Sequence, residues 1–317
     1  MDRTNERIAY VISDDRGRTW SDKRYLTEPG SNEAFYSGPR ISRLSDGTLA
    51  IVCDFMAGWD SEITGIGLKV FLWLSRDNGE TWAEPVLLPF AGVCPEHIRQ
   101  FPDGRWLLTA HRTNPVTKKT CQYAWYSDDD GQTWSDRVCV ADDPRYNFFE
   151  GSLLIVEDTT VVCYMREESK QGWDCLKSIS RDRGETWEGV YNVPLPGCHR
   201  PTVGWLSGGQ VLLTYRQHQG AKNPSENLMG ALIPRESILE TSRDFQTARI
   251  FPLVHDRSLK ADCGYSGWVQ FDDGEIVVVT YLTDDAPIAW IQALSFRLEE
   301  FVLNADQFRR YVHFDGI

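Results

Sequence analysis

SDDDGQTW, residues 127–134, is one of four copies of the pattern Ser-x-Asp-x-Gly-x-Thr-Trp that occur in the chain without a mismatch. The other three are SDDRGRTW from Ser13, SRDNGETW from Ser75 and SRDRGETW from Ser180. A degenerate fifth copy, SRDFQTA from Ser242, keeps Ser, Asp and Thr but lacks Gly and Trp. Successive copies begin 62, 52, 53 and 62 residues apart, a length that suits one unit of four short strands. The repeat therefore predicts an array of similar β units.

The residue types of this octapeptide explain why it forms a turn. Ser and Asp side chains hydrogen-bond to nearby backbone groups, and Gly adopts the left-handed conformation that a tight turn requires. The Trp is expected to cover the apolar layer of its own unit. We therefore predict a structural role, rather than a catalytic or metal-binding one, for the turn aspartates Asp15, Asp77, Asp129 and Asp182.

A second pattern alternates with the octapeptide: two alternating apolar runs separated by a turn dipeptide, as in a β-hairpin. These dipeptides are Asp46-Gly47, Asp103-Gly104, Glu157-Asp158, Gly208-Gly209 and Asp273-Gly274. One unit is thus an inner hairpin followed by an outer hairpin that carries the octapeptide. This order predicts an all-β fold, a β-propeller of four-stranded blades, with residues 1–317 forming a single domain.

The two ends of the chain leave two blade counts open. The first octapeptide has no inner hairpin before it, and the last hairpin has no octapeptide after it. We favour six blades with the first incomplete, because residues 286–298 already supply an outer strand to the last blade. The alternative is five blades, with N-terminal strands closing the last one. An incomplete blade exposes a strand edge, which a homodimer would cover. The approximate bounds for six blades are 1–30 (partial), 31–92, 93–142, 143–196, 197–256 and 257–317.

Composition and charge exclude several classes of function. The formal net charge of −13 and the absence of a Lys/Arg run argue against nucleic acid and anionic membranes as partners. No apolar stretch is long enough to span a bilayer, and the N-terminus has no signal-peptide core, so we expect a cytoplasmic protein. The eight cysteines lack metal-type spacing and are expected to be buried thiols, although Cys163 and Cys175 are candidates to face each other.

Four intact octapeptides at blade spacing resemble the Asp-box, or BNR, repeats of the sialidase (neuraminidase) superfamily. The resemblance extends from residue 7 to about residue 298. It implies a sialidase-like propeller and a site with three arginines that bind the substrate carboxylate. It further implies a Tyr nucleophile assisted by a Glu, an Asp acid/base, and no metal or organic cofactor. Asp boxes also occur in propellers that are not sialidases, so the fold alone does not establish the chemistry.

Two segments match the nucleophile and its partner. DCGYSGWVQFDDG opens the last blade and is similar to the nucleophile segment of the family, which makes Tyr265 the candidate nucleophile. Glu150, in NFFEGSLLIVED, is the candidate base at the start of an inner strand two blades earlier. Arg166 follows this Glu at the interval where the family has a carboxylate-binding arginine. Arg200 in CHRPTVGWL is the next such candidate, and Arg216 in LTYRQ is its rival.

The remaining arginine and the acid are less well matched. Arg40, in GPRISRL, resembles the family's Arg-Ile-Pro motif, with Ser42 in place of the Pro. The downstream segment CDFMAGWDSE offers Asp54 or Asp60 as the acid, of which we favour Asp60. One blade separates the Arg40 hairpin from that of Glu150, whereas the family has two.

Three functional interpretations stay open. The first is a retaining exo-glycosidase of sialidase type that removes a terminal acidic sugar through Tyr265 and Glu150. The second is a propeller glycosidase or lyase for another acidic or deoxy sugar, acting through His97, His111 and His199 at strand ends, with His199 next to the substrate. The third is a carbohydrate-binding propeller without catalysis. Trp59 and Trp173 are candidates for sugar stacking in any of them.

Overall fold

The computed structural model describes residues 6–301 except residues 32, 59, 115, 220–224 and 285. Trp59 lies outside the described residues. The described chain folds into five antiparallel sheets of three or four strands that form a propeller, with two short helices and two short 3₁₀ segments between strands. The prediction of an all-β propeller is confirmed.

The chain begins with a two-stranded sheet of its own, which the first two blades follow. The two-stranded sheet contains β1 (Ala9–Tyr10) and β2 (Arg24–Tyr25). Blade 1 contains β3 (Phe35–Arg43), β4 (Leu49–Met56), β5 (Lys69–Ser75) and β6 (Val86–Leu87), with helix α1 (Ser61–Thr64) between β4 and β5. Blade 2 contains β7 (Arg99–Gln100), β8 (Trp106–Thr113), β9 (Thr120–Ser127) and β10 (Val138–Ala141).

The other three blades repeat this arrangement from the inside outward. Blade 3 contains β11 (Phe148–Ile155), β12 (Val161–Glu167), β13 (Asp174–Ser180) and β14 (Glu188–Pro196). Blade 4 contains β15 (Cys198–Trp205), β16 (Val211–Gln219), β17 (Ser225–Ile233) and β18 (Arg249–His255), with helix α2 (Arg235–Ile238) and the 3₁₀ segment Arg243–Phe245 after β17. Blade 5 contains β19 (Cys263–Gln270), β20 (Ile276–Leu282) and β21 (Trp290–Phe296), followed by the 3₁₀ segment Leu298–Glu300.

The structure has five blades, which is the count of the alternative, but among the described strands β1 and β2 pair only with each other and do not close the last blade. Arg40 Nη1 on β3 donates to the carbonyl oxygen of Ser266 on β19 at 2.9 Å, so this side chain links the innermost strands of blades 1 and 5. The sheet of β1 and β2 lies farther out, between these two blades. Ile8 packs with Ile51, Cys53 and Trp73 of blade 1, and Arg16 pairs with Asp273 and Glu275 at the tip of blade 5.

The outer edge of blade 5 is open in the described chain, whereas the sequence led us to expect the exposed edge at an incomplete first blade. In the described chain β21 pairs with β20 and with no further strand, whereas the other four blades have four strands. Trp290 and Ile291 on β21 are exposed at 44% and 74%. A homodimer that covers this edge stays a prediction.

The structural role of the four intact octapeptides is confirmed. In the copy from Ser180, the Ser hydroxyl bonds to Asp182 and accepts the backbone N–H of Gly184, while Asp182 accepts the backbone N–H and the hydroxyl of Thr186. The same bonds occur in the other three copies. The degenerate copy folds differently: a 3₁₀ turn begins after Ser242, and Gln246 donates to the carbonyl oxygen of Asn192 on blade 3.

Hydrophobic side chains fill the spaces between neighbouring blades. One cluster joins Val162 and Ile179 of blade 3 to Val211 and Leu213 of blade 4, and similar clusters fill the interfaces of blades 1 and 2, of blades 2 and 3, and of blades 4 and 5. In the described residues the eight cysteines form no disulfide, and six are buried as expected, whereas Cys94 is half-buried and Cys139 is exposed. Cys163 lies opposite Ser178, not opposite Cys175. Within the part of the chain that the structure describes, no helix is long and apolar enough to cross a membrane.

Candidate active site at one end of the propeller

Each inner strand begins with the same backbone irregularity. In all five blades one residue with a φ between 48° and 60° lies there, just before the inner strand in blade 2 and within it in the other four, where the strand register also shifts. Such bulges turn a side chain out of the regular alternation of a strand and are frequent beside active sites. The residues with positive φ, which we call the inner ring, are Gly38, Cys94, Glu150, Arg200 and Tyr265, at φ angles of 60°, 50°, 50°, 48° and 49°.

A second ring lies on the neighbouring strand of each blade. In each case its member pairs with the residue just before the inner-ring residue, so both rings lie at the same end of the propeller. The second ring consists of Asp54, His111, Arg166, Arg216 and Tyr281. All five carry polar or ionisable groups, which strand residues facing an apolar core would not. The two rings contain five of the eight site residues that the sequence predicted.

Tyr265 and Glu150 are in direct contact although they are 115 residues apart. The Tyr265 hydroxyl donates to Glu150 Oε1 at 2.6 Å, and Arg166 Nη1 donates to Glu150 Oε2 at 3.0 Å. Burial by itself would raise the pKa of Glu150, but Arg166, Arg200 and the hydroxyl of Tyr265 outweigh it and hold that pKa well below its usual range. Burial and the Glu150 carboxylate raise the pKa of Tyr265. At neutral pH the pair therefore consists of a carboxylate and a neutral phenol.

Three arginines surround this pair. The guanidinium carbons of Arg200 and Arg216 lie 5.4 and 5.3 Å from the centre of the Tyr265 ring. Arg166 is bound to Glu150 and, through two nitrogens, to Glu168 at 3.0 and 2.7 Å. The structure thus brings together both Arg200 and its rival Arg216. Three largely buried guanidinium groups in one site attract an anion and bind a carboxylate well.

Arg40 lies outside the two rings. It is two residues beyond Gly38 of the inner ring and is 6% exposed. Besides its bond to Ser266, its Nε lies 3.5 Å from Oε2 of the fully buried Glu96. Among the described residues, its Nη2 has no hydrogen-bond partner. Burial and, to a smaller extent, the neighbouring Arg200 lower the pKa of Arg40 to about 10. Its predicted role as a substrate ligand stays a prediction.

The two candidate acids occupy different positions. Asp54 is fully buried in the second ring, and a Cβ on Gly38 would lie 3.1 Å from its Oδ1, so the carboxylate lies against the inner ring. Asp60 is exposed at the beginning of α1, where its carbonyl oxygen accepts hydrogen bonds from the amide and hydroxyl of Thr64. The loop that carries it adjoins β8. Only Asp54 belongs to the rings, and the catalytic role of Asp60 stays a prediction.

The predicted histidines do not form one group. His97 bonds to Glu96, and His111 Nδ1 accepts the backbone N–H of Glu150 at 3.2 Å. His199 lies beside Arg216 and Glu168 and stacks on His218 at 4.6 Å. Burial together with the charges of Arg166 and Arg216 lowers the pKa of His199 to about 2, so its imidazole is neutral at any working pH. A neutral His199 can contribute to binding but is a poor proton donor.

Sequence reasoning missed Cys94 and Tyr281, although a signal for them exists. Tyr281 stacks on Tyr265 at 5.9 Å, and its hydroxyl donates to Asp262 at 2.6 Å. The second-ring residue follows the inner-ring residue by 16 positions in four blades and by 17 in blade 2. The same interval that led from Glu150 to Arg166 would have led from Tyr265 to Tyr281. No group of three or more His, Cys, Asp or Glu in the described residues has the geometry to hold a metal ion.

The sequence matches the family described as "BNR repeat-like domain" over residues 8–278. Two relatives are sialidases, from Clostridium perfringens (24% identical over 221 residues) and from Paraclostridium sordellii (24% over 246 residues). These alignments include 60% and 67% of this chain but 57% of each relative. The chain thus spans little more than half the length of these two relatives.

Solved structures with the same fold cover nearly the whole chain. A protein of unknown function from Dyadobacter fermentans has a TM-score of 0.74 at 22% identity and covers 92% of this chain and 84% of its own. A Hadza microbial sialidase has a TM-score of 0.68 at 18% identity, with 93% and 61% covered. The Trypanosoma rangeli sialidase in complex with the inhibitor DANA has a TM-score of 0.67 at 16% identity, with 93% and 51% covered. At these identities the likeness establishes the fold.

Proposed function

Because the chain belongs to the BNR repeat-like domain family, we propose that it is a retaining exo-glycosidase that removes a terminal, carboxylate-bearing sugar of the sialic-acid type. The observation that carries the proposal is the 2.6 Å hydrogen bond from the Tyr265 hydroxyl to Glu150 within a group of three arginines. A carboxylate poised to remove a phenolic proton is the arrangement that an activated nucleophile requires. The two clostridial relatives named as sialidases support the same chemistry.

The arginines explain why a neutral nucleophile suits this substrate. A carboxylate bound by Arg166, Arg200 and Arg216 would repel an attacking carboxylate, whereas a phenol carries no charge until its proton leaves. In the first step Glu150 takes the Tyr265 proton, the phenolate oxygen bonds to the anomeric carbon, and the bond to the leaving oxygen breaks. The leaving oxygen takes a proton from an acid. In the second step the acid, now a carboxylate, takes a proton from water, the water oxygen bonds to the anomeric carbon as its bond to Tyr265 breaks, and Glu150 returns its proton to the phenolate.

The proton for the leaving oxygen is assigned to a carboxylic acid of blade 1. Asp60 is the candidate that the resemblance favours, and its exposed loop would have to approach the substrate. Asp54 is the candidate that lies against the inner ring. Substituting each by Asn separates them, because the acid's variant should retain activity on substrates with a good leaving group and lose it on natural glycosides.

The first experiment measures release of a fluorescent aglycone from an α-linked sialoside by the wild-type chain, Tyr265→Phe and Tyr164→Phe. Tyr164 is the matched control, because its buried hydroxyl has no hydrogen-bond partner among the described residues and lies outside both rings. Turnover that is lost in Tyr265→Phe and kept in Tyr164→Phe is expected. Turnover that is unchanged in Tyr265→Phe would refute the proposed nucleophile.

Uronides and deoxy-sugar glycosides in the same assay test the two other interpretations. Turnover of one of these that does not depend on Tyr265 would favour chemistry through histidines. Binding of sialic acid without turnover of any substrate would favour a binding module. The low pKa of His199 and the existing proton path from Tyr265 to Glu150 support the sialidase-type reaction over both.

A further inference from the structure

Glu150 stands in a backbone conformation that its residue type does not favour. Its φ of 50° lies in the left-handed region, which costs a non-glycine residue about 1 kcal/mol or more unless its surroundings impose it. The following residue leaves no room for adjustment, since a Cβ on Gly151 would lie 2.7 Å from Cys163 Sγ. A contact that stabilises this conformation therefore determines where the Glu150 carboxylate points.

His111 provides such a contact from the neighbouring blade. Its Nδ1 accepts the backbone N–H of Glu150 at 3.2 Å, across the interface between blades 2 and 3. We infer that His111 is a positioning residue that holds the Glu150 main chain so that the carboxylate faces Tyr265. This inference rests on the proposed function in so far as Glu150 is its catalytic base.

The imidazole of His111 is itself held in place. Its backbone pairs in both directions with Val93, at 2.9 and 3.2 Å, and the residue is 1% exposed. Its ring lies against that of Phe149, with the centroids 4.7 Å apart. Because backbone pairing and ring packing act together, the imidazole offers Nδ1 at a fixed point beside Glu150. Nδ1 accepts this N–H only while it carries no proton itself.

The hydrogen bond from the Glu150 N–H to His111 affects the distances from the Glu150 carboxylate to its two partners. The Glu150 carboxylate receives the Tyr265 hydroxyl at 2.6 Å and Arg166 at 3.0 Å, so a rotation of the main chain at Glu150 moves both contacts. Proton transfer is more sensitive to such displacement than carboxylate binding by Arg200 and Arg216, which lie on another blade. Loss of the His111 acceptor should therefore lower kcat and change KM little.

Three variants of the full chain test the inference. His111→Phe removes the acceptor and keeps a ring of similar size, whereas His111→Asn places an amide oxygen close to the position of Nδ1. Thr109→Val is the matched control, since Thr109 is buried on the same strand and bonds to Tyr123 and Gln122, not to Glu150. We expect kcat to fall about 10- to 100-fold in His111→Phe, with KM within about threefold of wild type. His111→Asn should recover most of kcat, and Thr109→Val should keep it. Equal losses of kcat in His111→Phe and His111→Asn would overturn the inference.

Hydrogen exchange at the Glu150 amide gives a readout that does not need turnover. We expect this amide to exchange at least tenfold faster in His111→Phe than in wild type, and at nearly the wild-type rate in His111→Asn and Thr109→Val. An unchanged exchange rate in His111→Phe would refute the positioning role whatever the activity. Faster exchange in His111→Phe, in a protein that turns over no sialoside, would uphold the contact and count against the proposed reaction alone.

Discussion

The octapeptide turns at the outside of the blades and the bulges at the inner strands are both repeated, but in opposite ways. The turns repeat the same side chains, and the hydrogen bonds from Ser and Asp are the same in all four intact copies. The bulges repeat the same backbone conformation, with φ between 48° and 60°, and carry five different residues. A turn of this kind forms only with particular side chains. The backbone conformation of a bulge is instead stabilised by the packing around it, so its side chain can differ from blade to blade.

This contrast separates stability from chemistry in the molecule. The repeated Ser and Asp side chains make the same hydrogen bonds, each within its own turn. The side chains at the inner-ring positions differ from blade to blade, and they make contacts between blades. The hydrogen bond from Tyr265 to Glu150 is an example. Changes in the rings should therefore alter kinetics more than stability, and changes in the turns should do the reverse.

The largest expected effect is that of Glu150→Gln. The amide keeps the size of the side chain and cannot take the Tyr265 proton, so kcat on a sialoside should fall by about 10²- to 10⁴-fold. Steady-state kinetics measure this fall. Glu188→Gln, which removes an exposed carboxylate from β14, is the control and should leave kcat unchanged. A fall below threefold in Glu150→Gln would remove Glu150 from the reaction.

The second prediction concerns the pH dependence of kcat/KM. Arg166 is the strongest of the influences that lower the pKa of Glu150, so the acidic limb of kcat/KM for wild type should lie well below pH 4.5. Because the active form of Glu150 is the carboxylate, activity persists above this pKa and is lost as the pH falls through it. In Arg166→Gln the limb should move to higher pH by about one unit or more. A limb at the same pH in both proteins would contradict this account.

A third prediction compares an intact turn with the degenerate one. Asp182→Ala removes three hydrogen bonds from its turn and should lower the free energy of unfolding by about 1–2 kcal/mol, with kcat unchanged. Asp244→Ala is the matched control, because in the described residues Asp244 makes none of these bonds, and its effect should stay below about 0.5 kcal/mol. Denaturant unfolding measures both values. Equal losses would mean that the degenerate copy still works as a turn of the same kind.

The smallest expected effect distinguishes backbone from side chain within a turn. Asn78 in the copy from Ser75 has a φ of 57°, which glycine adopts without strain. Asn78→Gly should therefore change the free energy of unfolding by less than about 0.5 kcal/mol. Asn192→Gly, in the extended strand β14, should lower it by about 1 kcal/mol. Thermal or denaturant unfolding of the two variants side by side measures the difference.

Much of the fold was predictable because its signals are local. The octapeptide specifies its own turn within eight residues, and each turn dipeptide joins two adjacent strands. Counting these units placed the open edge at the first blade, whereas in the described chain it lies at β21. The preferred count of six blades was wrong, since the described chain forms five. The bond from Arg40 to Ser266 links the first and last blades across 226 residues, and no local pattern encodes it.

The chemical types of the site residues were likewise readable from their segments, including Tyr265, Glu150, Arg166, Arg200 and Arg216. Their mutual distances, their burial and the resulting pKa shifts arise only where strands from different blades meet at the axis. That Arg216 joins Arg200, that Asp54 and not Asp60 lies against the ring, and that His111 holds Glu150 all depend on contacts between blades. Hydrogen bonds within a turn join residues that are adjacent in the sequence. The arrangement of the blades depends instead on packing between residues that are far apart in the sequence.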